Sequence, residues 1–453
     1  LLDWSTNGLK AARHLGRSIQ EIVHLSNLGL AYEALGQYQM ALEALETALE
    51  LCRTKELSRP EGIIQSNIGG VLYTMGDLIR ARDTLEQALV MHQNTQDRRS
   101  QSIALSKLGL IAADLGDNHR AILLYEQSLA IARELGDHRY ELQSLLNMGV
   151  AYYNLSLFEQ AAESYRDALK IAQMIQDRKN QARIMLNLGN IMLATGNTQS
   201  SLELFSEALS LFDQLQDQHG RSEAFTNIGT AYHHSGDSQK AITFYEKALK
   251  ETRERGERWD ESRLLGNIGS SYYALGNLTL ARSYYEEQLA LAREIGNRAA
   301  ESDALSNLGN ISVDTGELDQ AETLYLQSQG INQATGNRRG EGGDIGNLGN
   351  VMFKKGNYGE AQKAFKSQLI IGQEIGDKRL QGIGLFNLAC VFAIAGNQNQ
   401  AISQARAALG IFEEIHDPLV SRVHQFINSL GAGPLSEMNQ QPIHVQRPAK
   451  ENS

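Results

Sequence analysis

Apolar and small side chains recur along the chain at helical spacing, in two stripes for every forty residues. In the unit from 259 to 296, the first stripe holds Leu265, Ile268 and Tyr272, which stand three or four residues apart. After Gly276-Asn277 a second stripe follows, with Leu280, Ala281, Tyr284, Tyr285, Leu289 and Ala292. A glycine after a helix provides the left-handed conformation that ends it. The pattern therefore predicts an all-α chain in which each unit is two antiparallel helices of about fifteen residues.

Three markers hold this register without an insertion. The first, Asn-x-Gly, begins at Asn27, Asn67, Asn147, Asn187, Asn227, Asn267, Asn307 and Asn347, while Lys107 and Asn387 open two variant copies. The second marker is a glycine seven residues after the glycine of the first, from Gly36 to Gly396, and Ser156 replaces it once. The third marker is a small residue five positions later, such as Ala41. A period between about 20 and 50 residues predicts stacked repeats that bury one continuous core.

The small markers predict close packing within each pair of helices. Gly29 and its counterparts lie on the inner stripe of the first helix, and Ala41 and its counterparts lie on that of the second, so the two axes can approach closely. We expect a first-helix aromatic residue to fill the space beside them as part of the core. The residues in question are Tyr32, Tyr73, Tyr152, Tyr232 and Tyr272.

The same register predicts the domain boundaries. Residues 1–16 align with the second half of a repeat, so we expect the natural protein to be longer than this chain. Residues 17–417 form ten 40-residue units, and residues 418–430 form a helix that caps the stack. Residues 431–453 hold three of the five prolines and few apolar residues, which predicts a disordered tail.

Composition narrows the classes of partner. The chain has 453 residues, a net charge of -11 and no basic run, which argues against nucleic acid because phosphates need clustered Lys and Arg. It contains no apolar run of about 18 residues, so we expect no contact with a membrane interior. Cys52 and Cys390 stand 338 residues apart, which favours free thiols in a reducing compartment and a cytoplasmic protein.

No pattern in the sequence indicates catalysis, a cofactor or a metal site. His233 and His234 are adjacent on a helix, so their side chains diverge instead of converging on a metal. The glycine-rich run from Gly340 to Asn350 lies in a first helix in repeat register, whereas a phosphate-binding fingerprint stands between a strand and a helix. Its glycines cost the helix about 1 kcal/mol each, which predicts a weak joint or hinge.

The spacing of large apolar, Gly, aromatic, small and aromatic residues, as in Leu265, Gly269, Tyr272, Ala281 and Tyr285, resembles the tetratricopeptide repeat (TPR). The resemblance covers residues 1 to about 430, although each unit has six extra residues and lacks the usual Pro. The forty-residue form is similar to the Pins/LGN cell-polarity adaptors and to the arrays of bacterial STAND-type signalling ATPases. The resemblance implies a TPR solenoid, an alpha-alpha superhelix of right-handed sense.

A helical wheel places the marker asparagines on the far face of the first helix, and in such stacks the first helices line the concave side. An amide group both donates and accepts, so a row of asparagines can pair with any peptide backbone, at about every third residue. The resemblance implies that these asparagines contact bound peptide. The predicted peptide-binding residues are Asn147, Asn187, Asn190, Asn227, Asn267, Asn307, Asn310, Asn347 and Asn350, with Arg183 and Arg263. The alternative is that each duplicated asparagine only bonds a neighbouring helix.

The sequence thus predicts a non-catalytic scaffold that holds a protein or extended peptide in its concave groove, and that also self-associates through its repeat ends. Far-face positions are apolar in the first three units and mostly polar from the fifth, so we expect an apolar part of the ligand toward the N-terminal units and a polar part toward the C-terminal ones. Two alternatives stay open. The array is the ligand-sensing C-terminal region of a larger STAND-type ATPase, or it belongs to an enzyme subunit whose active site lies outside this chain.

Overall fold

The computed structural model describes residues 2–430 and 441–445, and within them all regular secondary structure is α-helical. The helices are α1 Leu2–His14, α2 Ser18–Ala34, α3 Tyr38–Thr54, α4 Ser58–Thr74, α5 Leu78–Asn94, α6 Arg98–Asp114, α7 Asn118–Leu135, α8 His138–Asn154, α9 Phe158–Met174, α10 Arg178–Ala194, α11 Thr198–Leu215, α12 Gln218–His234, α13 Ser238–Arg255, α14 Arg258–Ala274, α15 Leu278–Glu294, α16 Arg298–Asp314, α17 Leu318–Ala334, α18 Arg338–Lys354, α19 Tyr358–Glu374, α20 Lys378–Ile394, α21 Gln398–Glu414 and α22 Val420–Leu430. The predicted all-α class is confirmed, and the helices pack in consecutive pairs.

The chain divides into two compact units, Leu1–Gln216 with α1 to α11 and Asp217–Ser453 with α12 to α22. Within each unit, every even-numbered helix packs against the odd-numbered helix that follows it, and each pair packs against the next. The even-numbered helices from α2 to α20 carry the Asn-x-Gly marker or one of its two variants, and several of them also contact the marker helix of the next pair, as α16 does α18 and α18 does α20. We call the side of each unit formed by these helices the inner face.

Helix ends follow the chemistry expected for glycine. The marker glycines that close the first helices adopt positive φ, such as 72° at Gly36 and 74° at Gly276, and Ser156 takes the same conformation at 58°. In the turns after several second helices, a residue other than glycine adopts this positive φ, for example Gln176 at 57°. In many turns an Asp or Asn side chain then caps the next helix. The Asp177 carboxylate accepts a hydrogen bond from the Asn180 backbone N–H over 3.0 Å, which satisfies one of the free N–H groups at the start of α10.

From Gly109 to Gly349, the first glycine of the marker is a contact surface for a ring of the second helix, whereas Gly29 and Gly69 face Leu45 and Leu85. A Cβ on Gly309 would lie 2.6 Å from Cε1 of Tyr325, and one on Gly269 would lie 2.7 Å from Cε1 of Tyr285. Both tyrosines are nearly completely buried. The side chain sixteen residues after the glycine therefore fills the gap over it. Tyr32 and its counterparts lie beside that gap, half-buried and packed against the core clusters, so the expectation that they belong to the core is confirmed only in part.

The C-terminal pairs enclose an apolar cluster rich in phenylalanine. It includes Phe353, Phe365, Phe386, Phe412 and Phe426, each at most 6% exposed. Its last helix, α22, begins two residues after Pro418, inside the segment predicted to cap the stack. In the part of the chain that the structure describes, no helix is long and apolar enough to span a membrane.

Candidate functional site

In the first unit, the marker asparagines differ in what their amide groups contact. Asn67 donates from Nδ2 to the Ser26 hydroxyl over 3.1 Å, which joins two neighbouring inner helices. Asn147 accepts at Oδ1 from Gln143 over 2.9 Å, whereas its buried Nδ2 has no hydrogen-bond partner among the described residues. Asn187 and Asn190 are half-buried on α10, and the predicted Arg183 is exposed. The row therefore contains both helix-bridging amides and amides with spare capacity.

Lys107 replaces the marker asparagine on α6. Its ammonium donates to the Ser66 carbonyl over 3.3 Å and lies above Gly70, where a Cβ would stand 2.8 Å from Nζ. Burial lowers the pKa of this lysine, while the charge of Glu33 acts in the opposite direction. The Lys107 ammonium thus joins α6 to α4, whereas the side-chain amide of Asn67 joins α4 to α2.

In the second unit, the first two predicted asparagines, Asn227 and Asn267, donate no side-chain hydrogen bond to another described residue. Asn227 is 7% exposed, and its Nδ2 has no hydrogen-bond partner among the described residues. Asn267 is half-buried, and near it Arg263 pairs with Asp260 on the same helix over 2.9 Å. An unpaired buried amide nitrogen costs about 1–3 kcal/mol, which a bound carbonyl group would relieve.

Tyrosine hydroxyls reach the inner face at the position three residues after the marker asparagine. Tyr325 donates to Oδ1 of Asn310 over 2.7 Å, and Tyr245 donates to Thr230 over 3.1 Å. In the next pair the ring is Phe365, which has no hydroxyl, and Oδ1 of Asn350 is without a hydrogen-bond partner in the described residues. The ring on the marker glycine therefore determines whether this second amide is already engaged.

Residues 441–445 of the C-terminal tail lie across the inner face of α18 and α20. Asn347 accepts from the Val445 backbone N–H over 2.9 Å and donates to the Val445 carbonyl over 3.1 Å. Asn387 makes the same pair of bonds to Ile443, with 2.7 Å to its N–H and 3.1 Å to its carbonyl. Each asparagine thus holds both backbone polar groups of one residue, as a neighbouring β-strand would.

Two more side chains complete this contact. Asn350 donates from Nδ2 to the Ile443 carbonyl over 3.0 Å and lies 3.1 Å from Nδ1 of His444. Arg422 of α22 donates to the Gln441 carbonyl over 2.7 Å. Asn387 and Arg422 were absent from the predicted set. Asn387 stands in the marker register, so the register alone would have found it, whereas nothing in the repeat pattern indicates Arg422.

The tail's apolar side chains are also in contact with the scaffold. Ile443 is 5% exposed and belongs to the phenylalanine-rich cluster, and Val445 packs against that cluster. An apolar segment therefore lies among the C-terminal pairs, where the sequence predicted polar contacts. The difference arises because α20 carries apolar residues, Ile383, Cys390 and Ile394, at the far-face positions, and Phe386 and Phe426 add to the same cluster.

His444 is held in its neutral form. Burial lowers its pKa to about 4, with Lys354 and Arg422 acting in the same direction and Asp314 in the opposite one. The hydrogen bond from Asn350 to His444 also requires a neutral imidazole ring. Because an amide NH₂ only donates, Nδ1 of His444 must accept, which a protonated ring cannot do.

The tail was expected to be disordered over 431–453. Of these residues only 441–445 lie within the described structure, and they make the contacts above because asparagine amides hold their backbone and the apolar cluster takes up Ile443 and Val445. Residues 431–440 and 446–453 lie outside the described residues.

The glycine-rich run has a packing explanation. α18 is helical throughout, and a Cβ on Gly346 would lie 2.3 Å from Nε2 of Gln368, while one on Gly340 would lie 2.6 Å from Oδ1 of Asn332. Gly343 faces the tail, since its Cβ would stand 3.3 Å from Cγ1 of Val445. The glycines thus admit close neighbours, and the hinge stays a prediction.

The described residues also include histidine and cysteine side chains outside the tail contact. They contain no group of three His, Cys, Asp or Glu side chains that could hold a metal ion. His233 lies 3.1 Å from the Ser271 hydroxyl, and burial lowers the pKa of its ring. Cys52 and Cys390 are free and buried, and burial raises the pKa of Cys52 to about 11, which keeps that thiol protonated.

Paired helices at a fixed period, with amide groups in register on one face, define a helical repeat scaffold. The sequence matches the tetratricopeptide repeat over residues 20–94, 60–134, 100–174, 180–250, 260–334 and 345–414. The chain belongs to the tetratricopeptide repeat family, and it is a repeat scaffold of the protein-binding kind. No curated protein matches the sequence at a significant level.

Solved structures share the fold at low sequence identity. A STAND protein with a tetratricopeptide repeat sensor from Pyrococcus horikoshii is 15% identical, with a TM-score of 0.56 over 81% of this chain and 55% of that chain. The apo form of RapI is 16% identical, with a TM-score of 0.52 over 61% of this chain and 99% of its own. This chain therefore spans about half the length of the STAND protein.

Proposed function

We propose that the inner face binds an extended peptide segment of a partner protein, and that the marker asparagines hold its backbone. The observation that carries the proposal is the pair of hydrogen bonds between Asn347 and the N–H and carbonyl of Val445. These bonds use only backbone groups of the bound residue, so an amide at the same position of another repeat suits a peptide of any sequence.

The buried amide nitrogens of Asn147 and Asn227 support the same role. Each lacks a hydrogen-bond partner among the described residues, and each belongs to the row that includes Asn347. A peptide carbonyl is the acceptor that such a donor needs. Asn187 and Asn190 stand next to a phenylalanine, Phe205, as Asn350 stands next to Phe365, so no tyrosine hydroxyl engages their amides from that ring.

A displayed library of random twelve-residue peptides, panned on the full chain, supplies the probe. The affinity of the selected peptide is then measured by fluorescence anisotropy for the wild type and for Asn227→Ala/Asn267→Ala/Asn307→Ala. Each lost hydrogen bond costs about 0.5–1.5 kcal/mol, so we expect the triple variant to bind at least about 10-fold more weakly.

The matched control is Gln173→Ala/Gln327→Ala, which removes exposed amides from the second helices α9 and α17. It should leave the affinity unchanged. A selected peptide that binds the triple variant as tightly as the wild type, with normal thermal unfolding of both, would exclude the asparagine row as the binding surface.

A second candidate is the ligand-sensing region of a larger STAND-type ATPase. The fold likeness to the Pyrococcus horikoshii protein, whose repeats are described as a sensor, favours it. The natural sequence on the N-terminal side of Leu1 tests it. A Gly-rich phosphate loop with an acidic partner there supports the ATPase, and an uninterrupted further array of repeats contradicts it.

A further inference from the structure

The contacts of the tail show how many residues of a bound segment correspond to one repeat of the inner face. Val445 is held by the pair α18/α19 and Ile443 by the pair α20/α21, so the tail advances two residues for each repeat and runs opposite to the order of the repeats. Two extended residues span about 6.6 Å, less than the usual 8–10 Å between packed helices. The asparagine amides therefore stand closer together than the helix axes commonly do, and the sequence-based expectation of every third residue is replaced by every second.

This period has a consequence for side chains. In an extended segment, residues two apart point to the same side, so Ile443 and Val445 both face the scaffold. Ile443 enters the phenylalanine-rich cluster, and Val445 lies against Gly343, where a hydrogen atom replaces the side chain of other helices. A larger residue at 343 would meet Val445 first. The backbone bonds fix the register, and these two apolar positions select the sequence.

The residue between them faces a polar position. His444 lies beside Asn350 and accepts from its Nδ2, and Asp314, Lys354 and Arg422 are the charged groups whose fields act on it. A neutral side chain with a hydrogen-bond acceptor suits this position. A fixed cation does not, because Asn350 presents a donor and both Lys354 and Arg422 are positive.

We propose that residues 443–445 act as an intramolecular ligand of a site on α18, α20 and α22, and that the external ligand of this site is an extended protein segment with aliphatic residues at its first and third positions. The inference rests on the proposed function for the way in which the backbone is held. It adds the site, the register, the side-chain pattern and the competition between the tail and the external segment.

The length of the linker allows an estimate of how strongly the tail weakens the binding of an external segment. Ten residues join Leu430 to Gln441, and a short linker gives an effective concentration on the order of 1 mM. An external segment with the same contacts and an intrinsic Kd on the order of 10 μM is then weakened about 100-fold by the tail. Removal of the tail's two aliphatic side chains should therefore raise the affinity for the external segment.

The probe is a fluorescein-labelled synthetic peptide with the sequence of residues 439–447, NQQPIHVQR. Its affinity is measured by anisotropy for the full-length wild type and for the full-length variant Ile443→Asp/Val445→Asp. We expect the variant to bind at least 10-fold more tightly. Adding Asn347→Ala/Asn387→Ala to the variant should abolish this gain, and a peptide with Asp at both aliphatic positions should not bind.

The matched control is Val90→Asp/Ile370→Asp, which changes two exposed aliphatic residues on second helices and should leave the peptide affinity at the wild-type value. Thermal unfolding by circular dichroism establishes that each variant is folded. If the folded Asp variant binds the peptide no better than the wild type, whether both bind tightly or neither binds, the intramolecular ligand is refuted.

Molar mass by light scattering separates one further outcome. A wild type that dimerises and becomes monomeric on Ile443→Asp/Val445→Asp would place the tail on a second copy and overturn the intramolecular assignment. The library peptide tested against Asn227, Asn267 and Asn307 uses a different part of the row. Binding there without binding of the tail peptide would refute this inference and leave the proposed function standing.

Discussion

At the scale of single residues, the absence of a side chain controls how the helices of a pair meet. In the pairs from α6/α7 to α18/α19, the marker glycine of the first helix lies directly against the ring that stands sixteen residues later, as Gly309 does against Tyr325. That ring is buried and its hydroxyl reaches Asn310 on the inner face. The residue at position 325 thus fills the core of the pair with its ring and occupies an amide of the inner face with its hydroxyl.

Gly309→Ala should destabilise the protein by about 1–3 kcal/mol, because its Cβ would stand 2.6 Å from the Tyr325 ring and the ring must move. Gly330→Ala is the control in the same pair. It lies in α17, where no described atom outside its own helical turn lies within 4 Å of the added Cβ, so alanine should stabilise the protein by about 0.5–1 kcal/mol. Chemical denaturation measures both, and equal effects of the two substitutions would contradict the close contact.

His444 makes binding of the tail peptide depend on pH. Its pKa falls from 6.5 to about 4 when it is buried, so the free peptide takes up a proton that the bound peptide rejects. Binding is therefore complete above pH 6.5, weakens as the pH falls from 6.5 toward 4, and is about 30-fold weaker at pH 5 than at pH 7.5.

The measurement is the affinity of the 439–447 peptide for the Ile443→Asp/Val445→Asp variant across this range. A peptide with Gln in place of His444 has no titrating group at this position, so its affinity should change far less. A histidine peptide that binds equally well at pH 5 and 7.5, or more tightly at pH 5, would contradict a neutral buried ring.

At the scale of the element, the helices from α1 to α21 each end at a residue in the left-handed conformation, and in many turns an Asp or Asn side chain then caps the next helix. Where glycine takes the left-handed position the conformation is unstrained, as at Gly196 with φ of 81°. Gln176 adopts 57° in the turn between α9 and α10, at a cost of about 1–2 kcal/mol for a residue with a Cβ. The fold therefore overrides local preference at some turns and follows it at others.

Gln176→Gly should raise the thermal unfolding midpoint, with a gain of about 1 kcal/mol, since relief of strain exceeds the added entropy of the unfolded chain. The reverse change in the next turn, Gly196→Gln, should lower the midpoint by a similar amount. Differential scanning calorimetry of the two variants tests the pair. A lower midpoint for Gln176→Gly would show that its side chain makes a stabilising contact that outweighs the strain.

At the scale of the whole molecule, the extensive helix contacts join helices one or two places apart in the sequence. Stability in such a stack is a sum of local pair energies and neighbour interfaces. The tail is the exception, because Asn347 and Val445 are 98 residues apart. A local defect should therefore remain within its own unit.

Tyr325→Ala removes a completely buried ring and should cost about 3–5 kcal/mol. Hydrogen exchange followed by mass spectrometry should then show lost protection in α16 to α19 and unchanged protection in α4 to α7. Tyr125→Ala, which removes the equivalent ring on Gly109 in the first unit, should give the converse result. Uniform loss of protection along the chain in either variant would contradict neighbour-limited coupling.

Much of the fold follows from the sequence, because its determinants are local. The stripe of Leu265, Ile268 and Tyr272 and the closing Gly276 are separated by a few residues, so periodicity reveals the helices and their ends. The position of the aromatic ring was harder to predict. Tyr272 and Tyr285 both belong to apolar stripes, and only the path of the second helix determines that Tyr285 covers Gly269.

Part of the candidate site was also predictable, because the positions of its asparagines follow from the local repeat. Asn347 and Asn350 stand in a register that the sequence displays, and the amide chemistry that suits a peptide backbone follows from their type. The partner of these amides is not visible in the repeat. Whether Asn310 meets a tyrosine hydroxyl and Asn350 meets a peptide carbonyl depends on the rings at Tyr325 and Phe365 and on the placement of the tail.

The sequence by itself determined the helices, their pairing and the row of amides, since each depends on side chains within one forty-residue period. The tertiary structure alone decided which rings fill the gaps, which amides are already bonded, and that the five residues from Gln441 to Val445 have a place on the scaffold. A short segment with little apolar content has no local reason to be ordered. It acquires one only on a surface assembled from α18, α20 and α22, where three asparagines, an arginine and an apolar cluster converge.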